Sequence, residues 1–230
     1  MEFIAPEIEA YAKNHTSPEA DYLKELNRET YQKVLIPRML SGHLQGRVLS
    51  MLSKLQRPKA ILEIGTYTGY SALCLAEGFD TTGELHTIDI NEELEPLSRK
   101  YFDKSPYGHL ISQHIGNALE IVPSLKKKWD IVFIDADKSN YINYYNLVIE
   151  KMNPGGIIIC DNVLWSGKVL LRDEQLDEDT LALKQLNNLL LNDKRVLTHP
   201  QACFLYLFYG SPGGNQVDGS SPAAVTNCCK

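Results

Sequence analysis

"DIVFIDADKSNYINYYNLVIEKMNPGGIIICDN", residues 130–162, carries the reading that decides the fold. An apolar run of strand length ends in charge, a longer stretch follows with apolar residues three and four positions apart, and a second apolar run ends in acid again. Strand, amphipathic helix, strand is a βαβ unit, and its two strands lie parallel because the helix returns the chain to the edge where it started. The same alternation extends upstream. "AILEIG" (60–65), "ELHTIDI" (84–90) and "LISQHI" (110–115) are strand candidates, separated and followed by "YSALCLAEGF", "EELEPLSRKYFDK" and "NALEIVPSLKK" with helical spacing. Such alternation predicts an α/β, Rossmann-like doubly wound sheet, mostly parallel, with helices on both faces.

The rest of the chain is placed around that core. Ser17, Pro18 and Glu19 read as a helix start, with the helix running toward Leu35 and stopping near Pro37. Residues 1–57 are therefore expected to be N-terminal helices packing on the core, and 58–209 the core itself. Residues 177–193 look like a further helix after a polar loop. From 210 the sequence is rich in Gly, Ser and Pro without apolar periodicity, so 210–230 is expected to be a disordered tail.

Composition narrows the partners. The 230 residues are 43% hydrophobic and carry 29 acidic against 23 basic groups, a formal charge of −6 with no basic block longer than three lysines. Nucleic acid and anionic membrane surfaces are poor partners for such a chain. The first residues have neither a basic leader nor an apolar stretch, and no apolar run approaches the ~20 residues of a membrane span. The five cysteines, at 74, 160, 203, 228 and 229, form no C-x-x-C. A cytoplasmic location is expected. Cys74 and Cys160 read as small core residues.

In an open parallel sheet, ligands bind beyond the carboxyl ends of the strands. "LEIGTYTGYS" (62–71) stands at such an end, and its Gly65 and Gly69 make a turn that a ligand can approach closely. This is not the G-x-G-x-x-G of a dinucleotide site, and Glu63 would repel phosphate but welcome an amino group or a sulfonium. Asp89, 24 positions after Gly65, stands where an acid bonds both ribose hydroxyls, or it is a strand-end cap. Gly116, Asn117 and Ala118 follow the third strand, where an adenine edge would pass. Together they describe a ribonucleoside without a phosphate chain, as in S-adenosylmethionine.

The fourth and fifth strands end in Asp135 and in Asp161–Asn162. Neighbouring strands are ~4.8 Å apart, so these oxygens are expected to converge on a divalent cation, magnesium above all, with manganese and calcium also suited. The structural alternatives are that Asp135 bonds helix amides and that Asn162 is a turn residue. Lys138 is either a solvated lysine or, beside a cation, a base. Asp137 either faces the nucleoside or caps the following helix.

At this point the motifs resemble a known family, the cation-dependent, S-adenosylmethionine-dependent O-methyltransferases that include the caffeoyl-CoA and catechol enzymes. "MLSGHLQGRVLSML" (39–52), "LEIGTYTGYSAL", "TIDIN", "GNALE", "DIVFIDADKSNYINYY" and "NPGGIIICDNVLWSGKV" follow that family's order, across about residues 18–198. The resemblance implies Asp135, Asp161 and Asn162 as metal ligands and Lys138, beside Asp135, as the catalytic base. It implies Ser41, Glu63, Gly65, Thr66, Ser71, Asp89, Ala118 and Asp137 around the methyl donor, and Met39 and Trp165 beside a small aromatic acceptor with vicinal hydroxyls. It further implies a seven-stranded sheet whose last strand is antiparallel, and a homodimer. Two departures stand out: "LQGR" (44–47) replaces the family's "DEGQ", and "THPQACFLYLFYGSPGG" (198–214) replaces its Leu-Pro…Gly-Asp-Gly ending, so that "CFLYLFY" is the candidate last strand. The competing functions are a nicotinamide-dependent dehydrogenase and a non-catalytic nucleoside-binding protein.

Overall fold

The computed structural model describes residues 5–198 and the backbone of 223–228. Contacts group them into two compact units, 4–121 and 122 onward.

In the first unit, α1 (Pro6–Asn14), α2 (Asp21–Lys33) and α3 (Gly42–Gln56) precede β1 (Ala60–Ile64), α4 (Tyr70–Ala76), β2 (Glu84–Asp89), α5 (Glu95–Lys104) and β3 (Ile111–Ile115). β2 lies between β1 and β3 and is parallel to both, with Glu63 opposite Thr87 and Thr87 opposite Gln113. Every residue of β1 is buried, which is why "AILEI" reads as a continuous apolar run broken only by Glu63. α2 begins at Asp21, later than the Ser17–Pro18 signal suggested, and Ala20 caps it without a side-chain bond. The shift has a cause: the phenol of Tyr70 donates to the Glu19 carboxylate, which holds the residues before α2 extended. Leu23 and Leu26 on α2 are completely buried, and each contributes on the order of 1.5–3 kcal/mol.

The "LQGR" departure has a physical role. Arg47 grips Glu77 with two bonds, 3.0 and 2.6 Å, and Ser50 (2.6 Å) and Lys54 (2.9 Å) donate to the same carboxylate, locking α3 to the end of α4. Gly46 lets the two helices touch, since a Cβ there would lie 2.6 Å from the Tyr70 ring. Burial pushes the Cys74 thiol up to about 12, so it behaves as the small core residue expected.

The second unit contains β4 (Trp129–Ile134), α7 (Tyr141–Ile149), β5 (Met152–Asp161), α8 (Glu178–Asn192), β6 (Val196–Leu197) and β7 (Ala223–Cys228), after the short α6 (Ala118–Ser124) that straddles the division. Its strand order is β4-β5-β7-β6, all parallel. Trp129, Phe133, Tyr141 and Tyr145 are completely buried around it. Asp177 starts α8 by accepting from the N–H of Thr180 at 2.8 Å.

One expectation is corrected at this edge. β1 to β3 pair in the first unit and β4, β5, β7 and β6 in the second, where a six-residue and a two-residue strand stand beyond β5. The last strand is not antiparallel among the described residues: β7 runs parallel to β5, with Ile159 opposite Thr226. Within the tail expected from 210, residues 223–228 pair with the open backbone of β5. "CFLYLFY" (203–209) lies outside the described residues.

Candidate active site

The nucleoside end is built on the tips of β1 and β2. Glu63 is wholly buried and accepts from Thr87 Oγ1 at 2.5 Å, and Thr87 shares a 2.5 Å contact with the hydroxyl of buried Thr66. A carboxylate inside a sheet needs such partners, since burying it unsupported is costly. The chain then leaves the sheet through Gly65 at φ +104°, whose N–H still donates to Ile88 at 2.9 Å. Asp89 accepts from the N–H of Tyr67 at 2.7 Å and from that of Asn91 at 2.9 Å. Asp89 thus bonds two backbone amides at the strand end, and each carboxylate oxygen keeps a further lone pair for a hydroxyl. Gly69, at φ +87°, opens α4, and buried Ser71 lies in its first turn. Buried Ala118 starts α6 directly after Gly116 and Asn117. Ser41 precedes α3 and leaves its hydroxyl out of capping, and half-exposed Met39 ends a short turn just before it.

The acidic end is built on β4 and β5. Ile134 pairs with Cys160, so the next residues, Asp135 and Asp161, stand at matching strand tips. Both carboxylates act on one hydroxyl. Tyr141 is completely buried and its phenol is pushed well above its ordinary range, first by burial and then by Asp135 and Asp161, so it stays protonated. Its proton is shared between the carbonyls of Ile134 (3.2 Å) and Asp161 (3.1 Å). Lys138 is 6% exposed and donates to Tyr141 (2.5 Å) and to Asp135 (3.1 Å). The solvated-lysine alternative is thus excluded by burial.

The remaining residues of this end are also placed. Asp137 is exposed and stands at the N-cap position without a side-chain cap bond; it accepts from the Tyr144 hydroxyl at 2.5 Å and from the Asn140 amide. Asn162 sits at φ +63° and its carbonyl accepts from the N–H of Trp165 at 2.8 Å, so it is a turn residue whatever else it holds. Trp165 and Ser166 are left-handed too, at φ +44° and +52°. The Lys138 ammonium lies 5.7 Å from the centre of the Trp165 ring and Lys168 lies 5.9 Å from it.

Asp135, Asp161 and Asn162 form a hard, all-oxygen set at two neighbouring strand tips, and this set suits magnesium, manganese or calcium rather than a softer metal. Among the described residues no group of three or more His, Cys, Asp or Glu comes together. Sequence reading missed Tyr141 and Thr87, the two hydroxyls that hold these ends in shape.

A profile described as O-methyltransferase matches residues 13–202. The chain belongs to the O-methyltransferase family. This methyltransferase is 31% identical to the caffeoyl-CoA O-methyltransferase of Stellaria longipes over 188 residues, 77% of this chain and 78% of that one. It is 38% identical to caffeoyl-CoA O-methyltransferase 2 of Zea mays over 162 residues, 68% of this chain, and spans 61% of the maize protein. Among solved structures it resembles the O-methyltransferase TomG of Streptomyces achromogenes in complex with S-adenosylmethionine, with TM-score 0.79 and 25% identity over 88% of this chain and 92% of that one. A methyltransferase of Podospora anserina bound to S-adenosylhomocysteine gives TM-score 0.79 and 28% identity, over 89% and 96% of the two chains. The methyltransferase is therefore a caffeoyl-CoA-type, S-adenosylmethionine-dependent enzyme with a Rossmann-like, mostly parallel fold. No helix among its described residues is long and apolar enough to cross a membrane.

Proposed function

We propose that this enzyme transfers the methyl group of S-adenosylmethionine to one hydroxyl of a small aromatic acceptor with vicinal hydroxyls, catechol-like or caffeoyl-type. The observation that carries the reading is Lys138, buried and tied to Asp135 beside the tip that bears Asp161. Glu63 and Asp89 would hold the amino and ribose ends of the donor, with Ser41, Gly65, Thr66, Ser71, Ala118 and Asp137 around it. Asp135, Asp161 and Asn162 would hold a divalent cation, magnesium first.

The donor supplies an electrophilic methyl on sulfur, and the cation supplies charge that lowers a phenol pKa from its usual value near 10. Lys138 Nζ takes the proton of the acceptor hydroxyl. The oxygen so freed bonds to the methyl carbon as the carbon–sulfur bond breaks, leaving a thioether. Tyr141 fixes the Nζ that accepts the proton, and Met39 and Trp165 align the ring; fixed geometry of this kind supplies ~7–11 kcal/mol. The cysteine pattern supports a cytoplasmic location, and exposed Met51 and Leu55, one turn apart on α3, support a homodimer contact.

Methylation of a catechol is expected to stop with chelator and to return with magnesium or manganese. Full turnover after exhaustive metal removal would refute the mechanism. Against the non-catalytic reading, Asp161→Ala is expected to abolish turnover while S-adenosylhomocysteine still binds. The dehydrogenase reading is set aside by the family.

A further inference from the structure

The donor loop is fastened to the chain before it at two adjacent residues. Thr30 of α2 donates to Thr68 Oγ1 at 3.2 Å, and the phenol of Tyr67 donates to the carbonyl of Ile36 at 2.9 Å. That carbonyl already has a task, because it accepts the N–H of Met39 at 3.1 Å and so closes the turn Pro37–Met39. A carbonyl oxygen has two lone pairs, and here both are used. Tyr67 is held equally firmly at its other end. Its N–H is donated to Asp89 at 2.7 Å, and its backbone is left-handed at φ +49°, a conformation that an aromatic residue adopts only when its surroundings impose it.

The turn that Tyr67 braces is apolar and open: Leu35 is 98% exposed, Ile36 48% and Met39 51%, while Leu40 is buried and anchors its far end. Burial first, then nearby Tyr31, raises the Tyr67 phenol above its ordinary range, so it remains a donor at working pH.

We propose that Tyr67 is a positioning residue that couples the two substrates: Asp89 sets its backbone at the donor site, and its phenol sets the Leu35–Met39 turn that receives the aromatic acceptor. The coupling rests on the functional reading above, with the acceptor ring as the occupant of the turn. Donor binding at Asp89 immobilises Tyr67, Tyr67 immobilises the Ile36 carbonyl, and Met39 is thereby presented to the acceptor. Ordering that precedes the second ligand lowers that ligand's own ordering cost, which is positive cooperativity.

The test compares wild type with Tyr67→Phe, which removes one hydroxyl and nothing else. The acceptor KM is expected to rise roughly two- to tenfold, the range of one hydrogen bond, while kcat and S-adenosylhomocysteine affinity change less than twofold. The factor by which S-adenosylhomocysteine tightens acceptor binding is expected to fall toward one. An unchanged KM and an unchanged factor overturn the proposal, as does an equal loss of donor affinity, which makes Tyr67 an ordinary donor contact. In wild type alone, S-adenosylhomocysteine is expected to slow hydrogen exchange at 35–40. Binding without that protection overturns the coupling alone, whereas a wild type that binds no S-adenosylhomocysteine removes the functional reading with it.

Discussion

Two of the three ammonium hydrogens of Lys138 are aimed, one at Asp135 and one at Tyr141, so its Nζ has little freedom to wander. Lys138→Met keeps most of the volume and removes the base. It is expected to lower kcat by roughly 10²–10⁴, the usual contribution of a positioned proton acceptor. Steady-state rates paired with calorimetry of S-adenosylhomocysteine separate that loss from a failure to bind donor, which should stay within about twofold. The charged residues of this end were legible in the sequence, because a carboxylate closing an apolar strand asks for a partner. Tyr141 and Thr87 were not legible. A tyrosine in a helix and a threonine in a strand satisfy the ordinary packing pattern, and only three-dimensional neighbours reveal that their hydroxyls carry the polar network.

Between elements, the loops and helix faces carry the sensitive contacts. Gly69 joins β1 to α4 with a positive φ, and a Cβ there would lie 2.5 Å from the ring of completely buried Phe102 on α5. Gly69→Ala combines overpacking with left-handed strain and should cost about 2–4 kcal/mol, read as a lower urea midpoint. α2 and α5 meet at Glu29, whose carboxyl is lowered to about 2 by hydrogen bonds from Lys100, then Lys33 and Tyr101. A depressed carboxyl stabilises the fold above its unfolded value and loses that contribution as pH falls. Wild type should therefore exceed Glu29→Gln in stability at neutral pH, and the gap should close between about pH 4.5 and 2. Both lysines are more than half exposed, so the gap stays within ~1 kcal/mol. Strands β1 to β5 and helices α4 to α8 were readable from periodicity to within a few residues. The start of α2 was not, since a cap signal at Ser17 competes with a tertiary bond from Tyr70 to Glu19 that no local pattern encodes.

For the molecule as a whole, a donor site formed only in the folded state makes stability depend on ligand. At a hundred times its Kd, S-adenosylhomocysteine should add ~2.7 kcal/mol, and at 2–4 °C per kcal/mol in a chain of this size Tm should rise by roughly 5–11 °C. NAD at the same concentration should leave Tm where it was; an equal rise with both would count against Glu63 as the discriminating group. The doubly wound architecture was visible because alternation repeats many times along the chain, whereas β7 was hidden. "AAVTNC" has no apolar alternation of its own, and it is the edge of β5 that gives it a strand's hydrogen bonds.

Asn162, Trp165, Ser166 and Gly167 all hold a left-handed backbone. Three of the four are not glycine, and each such residue costs about 1–3 kcal/mol, so the polypeptide is sprung at the mouth of its own acidic end. Relaxing the spring at Ser166 with glycine should make a hardier protein and a slower one, because the indole beside it would no longer be pressed into a single pose.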